Sequence, residues 1–174
     1  MRKIRVLFVL FLLCACAVKQ PMSIPERYIH LRSTLAKIPM VYPVQDAVND
    51  KHLVNLQAEP YVYNQSILKS FVDKVKLGMD AELIFVAYTD EGDPILTIVQ
   101  YADETFLAVV DTTRDRFGRR SIEEFKFLKL VTFKEANNNG YYLFNTDVTY
   151  EQFKKSLISS NSADWIDHLY LCHD

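Results

Sequence analysis

The spacing of apolar residues changes at Gly78, and this change limits the folds that are open to the chain. Before Gly78, apolar residues recur every three or four positions behind Asn64, a residue type that favours the start of a helix. These residues are Ile67, Leu68, Phe71, Val72 and Val75. After Gly78 the period becomes two, which is typical of strands. The sequence therefore predicts an amphipathic helix that ends at Gly78 and is followed by a sheet.

Three β-rich runs follow this helix, over residues 83–88, 95–101 and 106–111. The connections between them are too short to hold a crossover helix. We therefore expect these three strands to be antiparallel neighbours, with Gly92 supplying positive φ in the first turn.

The later part of the chain predicts a long strand over residues 122–134 and a return strand over 141–144. Between them, residues 137–140 end in Asn-Gly, which favours a hairpin turn with positive φ. A last helix is expected from about Thr149, burying Tyr150, Phe153 and Leu157, and an apolar element follows over 165–171. The predicted fold is a single α+β domain: an antiparallel meander of about five strands with a helix before it and a helix after it.

Another amphipathic helix is predicted nearer the N-terminus, where Ser23 and Glu26 have the spacing of a capping box and Pro39 ends the pattern. Its apolar face consists of Tyr28, Leu31, Leu35 and Ile38. Because its polar face carries Arg27, Arg32 and Lys37, the helix either packs on the domain or lies on a membrane surface. Residues 39–63 are expected to be an irregular connector with one short helix over 44–56.

The first sixteen residues have the pattern of a bacterial lipoprotein signal. Basic residues precede an apolar run over residues 6–13, which is about half the length needed to span a bilayer. The following Leu13-Cys14-Ala15-Cys16 resembles a lipobox, in which a small residue precedes the cysteine that receives the lipid. Cys16 fits this pattern, whereas Leu13 is too large to precede Cys14. An ordinary secretory signal or a short uncleaved anchor is the alternative.

These features divide the chain into a signal peptide at 1–15, a tether at 16–22, an N-terminal helix and connector at 23–60, and an α+β domain at 61–174. Removal of the signal peptide leaves 17 basic and 22 acidic residues, a net charge of −5. An acidic body is a poor match for phosphate backbones, so we expect no nucleic-acid partner.

The four glycines lie far apart, which excludes glycine-rich phosphate loops, and three cysteines exclude a multi-disulfide scaffold or a four-cysteine zinc module. The standard motifs of nucleophilic catalysis are also missing from the sequence. We therefore predict no catalytic residue, no cofactor and no metal site.

Three acidic residues, Asp90, Glu91 and Asp93, share the first predicted turn and are weak candidates for a cation site. The full calcium-loop spacing is missing, so a solvated hairpin turn is the favoured interpretation. Asp164, His168 and Cys172 would lie on one face of a C-terminal helix and have the side-chain types of zinc or copper ligands. Their spacing matches no standard site, which favours a packed or solvated tail.

A charged loop after the third strand is the best candidate for an interaction surface. Its charged and aromatic residues are Asp111, Arg114, Asp115, Arg116, Phe117, Arg119 and Arg120. The arginines could bind carboxylates or phosphates of a partner. The favoured alternative is a connector whose charges protect the edge of the sheet.

Three segments of the chain resemble a known family. Residues 71–75, residues 88–95 with the pattern Tyr-Thr-x-Glu-Gly-Asp-Pro-Ile, and residues 111–118 with Asp-Thr-Thr-Arg-Asp-x-Phe-Gly are similar to small lipoproteins of Firmicute-type, Gram-positive bacteria, classed as a domain of unknown function. The resemblance covers about residues 45–135. It implies a lipid-anchored, extracytoplasmic domain but no activity. Many members carry a second cysteine that could pair with the C-terminal one, whereas this chain has Cys172 alone there.

Taken together, the sequence predicts a membrane-anchored, extracytoplasmic, non-enzymatic binding module, with the membrane as one partner through Cys16 and an envelope protein or small ligand as the other. Two alternatives remain open. One is a metal-dependent or hydrolytic envelope enzyme whose site assembles from Asp90, Asp93, Asp111 and Asp115. The other is a structural component of the envelope.

Overall fold

The computed structural model describes residues 22–56, 62–135 and 138–173. Cys16 and most of the predicted tether lie outside these ranges. No helix within them is long and apolar enough to cross a membrane. The helices are α1 (Ile24–Leu35), α2 (Val44–Asn49), α3 (Gln65–Lys76) and α4 (Tyr150–Ile158). The strands are β1 (Leu53–Asn55), β2 (Val62–Tyr63), β3 (Ala81–Tyr88), β4 (Pro94–Ala102), β5 (Thr105–Asp111), β6 (Ile122–Phe127), β7 (Lys129–Glu135), β8 (Asn138–Phe144) and β9 (His168–His173).

Six strands form a larger sheet, sheet A, in the order β2-β1-β3-β4-β5-β6. Strands β3 to β6 form an antiparallel meander, as predicted for its first three members. Strand β1 instead pairs in parallel with β3, which requires a crossover, and α3 provides it. The tight turn between β3 and β4 has Gly92 at φ +82°, which confirms the predicted role of this glycine.

One face of sheet A is covered by α1 and α2. Leu31 and Leu35 of α1 are buried against strands β4 and β5, in a cluster that also contains Val86 and Ile98. The carboxylate of Glu26 accepts hydrogen bonds from the backbone N–H and hydroxyl of Ser23, which confirms the predicted capping box. The N-terminal helix therefore packs on the domain, the first of the two arrangements that the sequence left open.

The other face of sheet A is shared by α3 and a second sheet, sheet B, with strand order β7-β8-β9. Leu68, Phe71 and Val72 of α3 are buried there, and Gly78 takes φ +67° just after the helix, as its position predicts. Helix α4 covers the outer face of sheet B through Phe153, which packs against Phe144.

The structure corrects the predicted strand count: it contains nine strands in two sheets, not a meander of about five. The strand predicted over residues 122–134 is broken at Leu128 into β6 and β7. Phe127 and Leu130 pack into one core although they are an odd number of positions apart, so the alternation of faces cannot continue through Leu128. Phe133 belongs to a different core, beneath α4.

The predicted hairpin is confirmed, because β7 and β8 are antiparallel neighbours, but its turn is not at residues 137–140: β8 begins at Asn138, and Gly140 pairs with Phe133 inside the ladder. A Cβ at Gly140 would lie 2.7 Å from the ring of Tyr142 and 2.7 Å from Oε1 of Glu135. These two side chains hydrogen-bond to each other at 2.6 Å. The glycine provides space between neighbouring side chains rather than positive φ.

Three smaller expectations also differ. Residues 39–63 hold the short strands β1 and β2 besides helix α2, so this segment contributes two strands to sheet A. Leu157 is exposed rather than buried, and Ser156 takes its place against the sheet. Residues 168–173 form strand β9 instead of continuing a helix, so Asp164, His168 and Cys172 do not share a helical face.

Candidate functional site

The charged segment after β5 forms a closed loop, here called the arginine loop and defined as residues 112–121. Its two ends are held together at its base, where the backbone N–H of Thr112 donates to the carbonyl of Ser121 at 2.9 Å. The backbone N–H of Ser121 donates in return to Oγ1 of Thr112, also at 2.9 Å. The loop therefore projects from a fixed base at the end of sheet A.

The first half of the loop is anchored by a buried ion pair between Asp111 and Arg114. Nη1 of Arg114 lies 2.5 Å from Oδ2 of Asp111, and both side chains are almost fully buried. The other carboxylate oxygen accepts hydrogen bonds from the N–H and hydroxyl of Thr113. Burial acts to raise the pKa of Asp111, but the hydrogen bonds from Thr113 and Arg114 outweigh it, so the pKa lies below its usual value.

Arg114 also binds the end of helix α1. Its Nη2 donates to the carbonyls of Leu35 and Ile38, and its Nε donates to the carbonyl of Pro39 at 3.0 Å. The last carbonyls of a helix lack partners within the helix, so a guanidinium at this place satisfies them. Its positive charge also interacts favourably with the negative end of the helix dipole. Arg114 is therefore a structural residue that joins α1 to the loop.

A second pair, Asp93 with Arg116, connects the arginine loop to the β3–β4 turn. The carboxylate of Asp93 accepts from the backbone N–H of Arg116 and from its Nε, each at 2.9 Å. These two hydrogen bonds lower the pKa of Asp93. The two segments, far apart in sequence, thus form one surface at this end of the sheet.

The middle of the loop is shaped by Asp115, whose Oδ1 accepts from the backbone N–H groups of Phe117 and Gly118. A Cβ at Gly118 would lie 2.1 Å from Oδ2 of Asp115, so only glycine fits beside this carboxylate in its observed position. This local turn brings Phe117 to the outside of the loop.

The tip of the loop consists of Phe117, Arg119 and Arg120, all of which are exposed. Phe117 is 73% exposed, and the guanidinium carbon of Arg116 lies 5.8 Å from the centroid of its ring. Arg119 and Arg120 make no side-chain hydrogen bond or ion pair with the residues that the structure describes. The tip thus presents an aromatic ring and two guanidinium groups to solvent, next to the exposed side chain of Arg116 that Asp93 binds.

The structure separates the three acidic residues of the cation candidate. Asp90 and Glu91 are exposed, whereas the carboxylate of Asp93 is directed to Arg116. Likewise, Asp111 is bound to Arg114 and Asp115 to backbone N–H groups, so the four carboxylates of the enzyme alternative do not converge with free oxygens. Among the described residues, no group of three His, Cys, Asp or Glu side chains is arranged to hold a metal ion.

Of the three C-terminal candidates, His168 and Cys172 lie in strand β9, whereas Asp164 precedes it. Cys172 is fully buried in β9, and its thiol donates to the carbonyl of His173 at 3.0 Å. The ring of His168 packs against Phe153 at a centroid distance of 4.8 Å. Packing in the core therefore accounts for the positions of both side chains.

Sequence reasoning missed a partly buried polar cluster beside helix α2, in which Tyr42 is buried, His52 is half-buried and Asp50 is exposed. The hydroxyl of Tyr42 donates to Oδ2 of Asp50 at 2.8 Å and lies 2.9 Å from Nδ1 of His52. Burial and, to a lesser extent, the hydrogen bond to Asp50 raise the pKa of Tyr42. Burial lowers the pKa of His52. The signal for this cluster is weak, since its members sit in a segment without periodicity.

Sequence reasoning also missed two exposed apolar residues, Met40 and Val41, which directly follow Pro39. Because Arg114 binds the carbonyl of Pro39, these residues lie next to the base of the arginine loop. They extend the apolar part of this end of the molecule beyond Phe117.

Comparison with known proteins agrees with the family resemblance at the level of the domain. A family model described as a domain of unknown function (DUF4362) matches residues 50–143, a range that includes α3, the antiparallel meander and the arginine loop. No curated protein and no solved structure matches the chain. Because the model covers more than half of the sequence, the chain belongs to this family, the domain of unknown function DUF4362.

Proposed function

We propose that this protein is a lipid-anchored, extracytoplasmic binding module that recognises a protein partner through the tip of the arginine loop. The anchor is the predicted lipid on Cys16, and the recognition surface consists of Arg116, Phe117, Arg119 and Arg120. The proposal assigns no catalytic step to the protein.

The observation that carries the proposal is the exposure of Phe117 among arginines on a loop that is otherwise tightly held. An exposed aromatic ring costs free energy in water unless a partner covers it. Aromatic residues and arginine are also the side chains that contribute most to protein–protein binding. A tip that is positioned by buried contacts loses little conformational entropy when a partner binds.

The charge of the tip indicates the chemistry of the partner. Arg119 and Arg120 have donors without described partners, while the body of the processed chain is acidic. Planar guanidinium groups bind carboxylates in bidentate pairs. We therefore propose a partner surface that carries Asp or Glu around an apolar position that accepts Phe117.

Photo-crosslinking in the producing bacterium tests the recognition surface. A photoreactive phenylalanine analogue at position 117 should give one discrete crosslinked protein, and the pair Arg119→Glu and Arg120→Glu should abolish it. The same analogue at Trp165, which is 63% exposed on another part of the surface, is the matched control. Equal crosslinking from positions 117 and 165, or crosslinking that survives the charge reversal, would contradict the proposal.

Metabolic labelling with radioactive palmitate tests the anchor separately. Wild type and Cys14→Ala should incorporate the label, and Cys16→Ala should not. Labelling that is absent from wild type, or that persists in Cys16→Ala, would show that Cys16 is not the lipidated residue.

A further inference from the structure

Sheet A has two ends that differ in the segments they carry. One end holds the β3–β4 turn and the arginine loop, which are joined by Asp93 and Arg116. The opposite end holds the β4–β5 turn and the connection from α3 to β3, because Ala81 pairs with Tyr101 next to that turn. We call this second end the turn end.

The direction of α1 shows at which end the chain enters the domain. Arg27, in the first turn of α1, donates to Oε1 of Gln100 and to the carbonyl of Ala102, beside the β4–β5 turn. The last carbonyls of α1 are bound by Arg114, at the arginine-loop end. The helix therefore starts at the turn end, and Met22, the first residue that the structure describes, precedes it there.

Exposed apolar side chains are present at the same end. Leu77 is 74% exposed and Met79 is 52% exposed, on either side of Gly78 in the connection from α3 to β3. Leu128, which follows Phe127 and so lies near Phe106 and the β4–β5 turn, is also exposed. Met22 and Ile24 add to them where α1 begins.

We infer that the turn end rests on the bilayer, with Leu77 and Met79 inserted among the lipids and the arginine loop directed away from the membrane. This inference rests on the proposed anchor at Cys16. The six residue-to-residue steps from Cys16 to Met22 span at most about 21 Å even when extended, at about 3.5 Å per residue. A lipid on Cys16 therefore holds this end of the domain close to the membrane surface.

The charges at the turn end indicate which lipids the contact needs. Lys74 and Lys76 precede Leu77, but Asp80, Asp103 and Glu104 lie at the same end. Since basic and acidic groups are mixed, the contact depends on apolar insertion and not on attraction to anionic lipids. The tether supplies a high effective concentration, so the two apolar side chains suffice for a contact that would be weak without it.

Quenching of tryptophan fluorescence by brominated lipids measures this contact. The full-length protein is purified from the membranes of the producing bacterium and reconstituted in phosphatidylcholine vesicles that contain brominated lipid. Trp165, the single tryptophan, is first replaced by Phe, and a new tryptophan is placed by Leu77→Trp or, as the matched control, by Phe117→Trp. Both positions are similarly exposed, so neither change fills a buried site.

We expect the tryptophan at position 77 to be quenched at least threefold more than the one at position 117. Phosphatidylserine should leave this ratio unchanged. If the protein floats with the vesicles but position 77 is quenched no more than position 117, the inference is wrong and the anchor stands. If the protein does not float with the vesicles, the proposed anchor fails and the inference fails with it.

Discussion

Both halves of the arginine loop contain arginine, but Arg114 in the first half and the arginines of the second half have opposite environments. In the first half, Arg114 is buried, is hydrogen-bonded to Asp111 at the end of β5 and binds three backbone carbonyls. In the second half, Arg119 and Arg120 extend into solvent beside Phe117. The comparison shows that charge in a sequence does not distinguish a structural arginine from one that is available to a partner. The following substitutions test that division.

Arg114→Ala should have the largest effect on stability. It leaves the carboxylate of Asp111 buried without its partner and removes the donors from the end of α1. Breaking a buried ion pair from one side costs about 3 kcal/mol or more, and we expect that loss in the free energy of unfolding. Urea unfolding monitored by circular dichroism measures it. A loss below about 0.5 kcal/mol, the size of an ordinary surface substitution, would mean that the pair does not anchor the loop.

Asp111→Asn should cost less, about 2 kcal/mol at neutral pH, since the amide keeps part of the hydrogen bonding. Because the folded-state pKa of Asp111 is lowered, the unfolded chain binds the proton more tightly, and the stability from this group is complete above about pH 4. It is lost as the pH falls through the folded-state pKa. The stability difference between wild type and variant should therefore shrink below about pH 4. Urea midpoints at pH 7 and pH 3 provide the comparison, and a constant difference would contradict it.

Gly118→Ala lies at the boundary of the two halves and should have an intermediate effect. The new methyl group would displace the carboxylate of Asp115 from the N–H groups of Phe117 and Gly118. The loss of these hydrogen bonds corresponds to about 1 kcal/mol. Thermal unfolding measures the stability, while crosslinking from position 117 should decline at the same time because the tip loses its shape. Unchanged crosslinking would show that the tip does not depend on this turn.

The smallest effect on stability is expected from the pair Arg119→Ala and Arg120→Ala. Neither side chain makes a hydrogen bond or an ion pair with a residue that the structure describes, so the free energy of unfolding should change by less than about 0.5 kcal/mol. Binding should nevertheless be lost, which separates stability from recognition within one loop. Lys154→Ala and Lys155→Ala, two adjacent exposed basic residues on α4, serve as the matched control and should leave crosslinking unchanged.

Much of the fold follows from local patterns in the sequence. The capping box at Ser23, helix α3 and strands β3 to β5 are all predicted, because their signals lie within a few residues of each other. The break at Leu128 is not predicted, because no glycine or proline marks it. It depends on which core each side chain enters, and that is a property of the assembled sheets.

The candidate site shows the same limit. The sequence identifies the loop but cannot assign partners to its charges, because Arg114 binds carbonyls at the end of α1 and just after it, more than 70 positions earlier in the chain. Asp93 is a similar case: in the sequence it is one of three acids in a turn, and its partner Arg116 comes from another loop. Only the tertiary structure shows which arginines are left for binding.

Helix α1 is fixed to sheet A by a buried arginine at each end. Arg27 lies in its first turn, and Arg114 of the arginine loop binds the carbonyl of its last residue. Any tension on the segment before Met22 therefore acts first on Arg27 and its contacts with the β4–β5 turn. Because the helix extends along the sheet from that turn toward the arginine loop, a pull must shear many buried contacts together instead of peeling them apart one by one. This geometry gives the domain mechanical resistance at the point where a tether would load it.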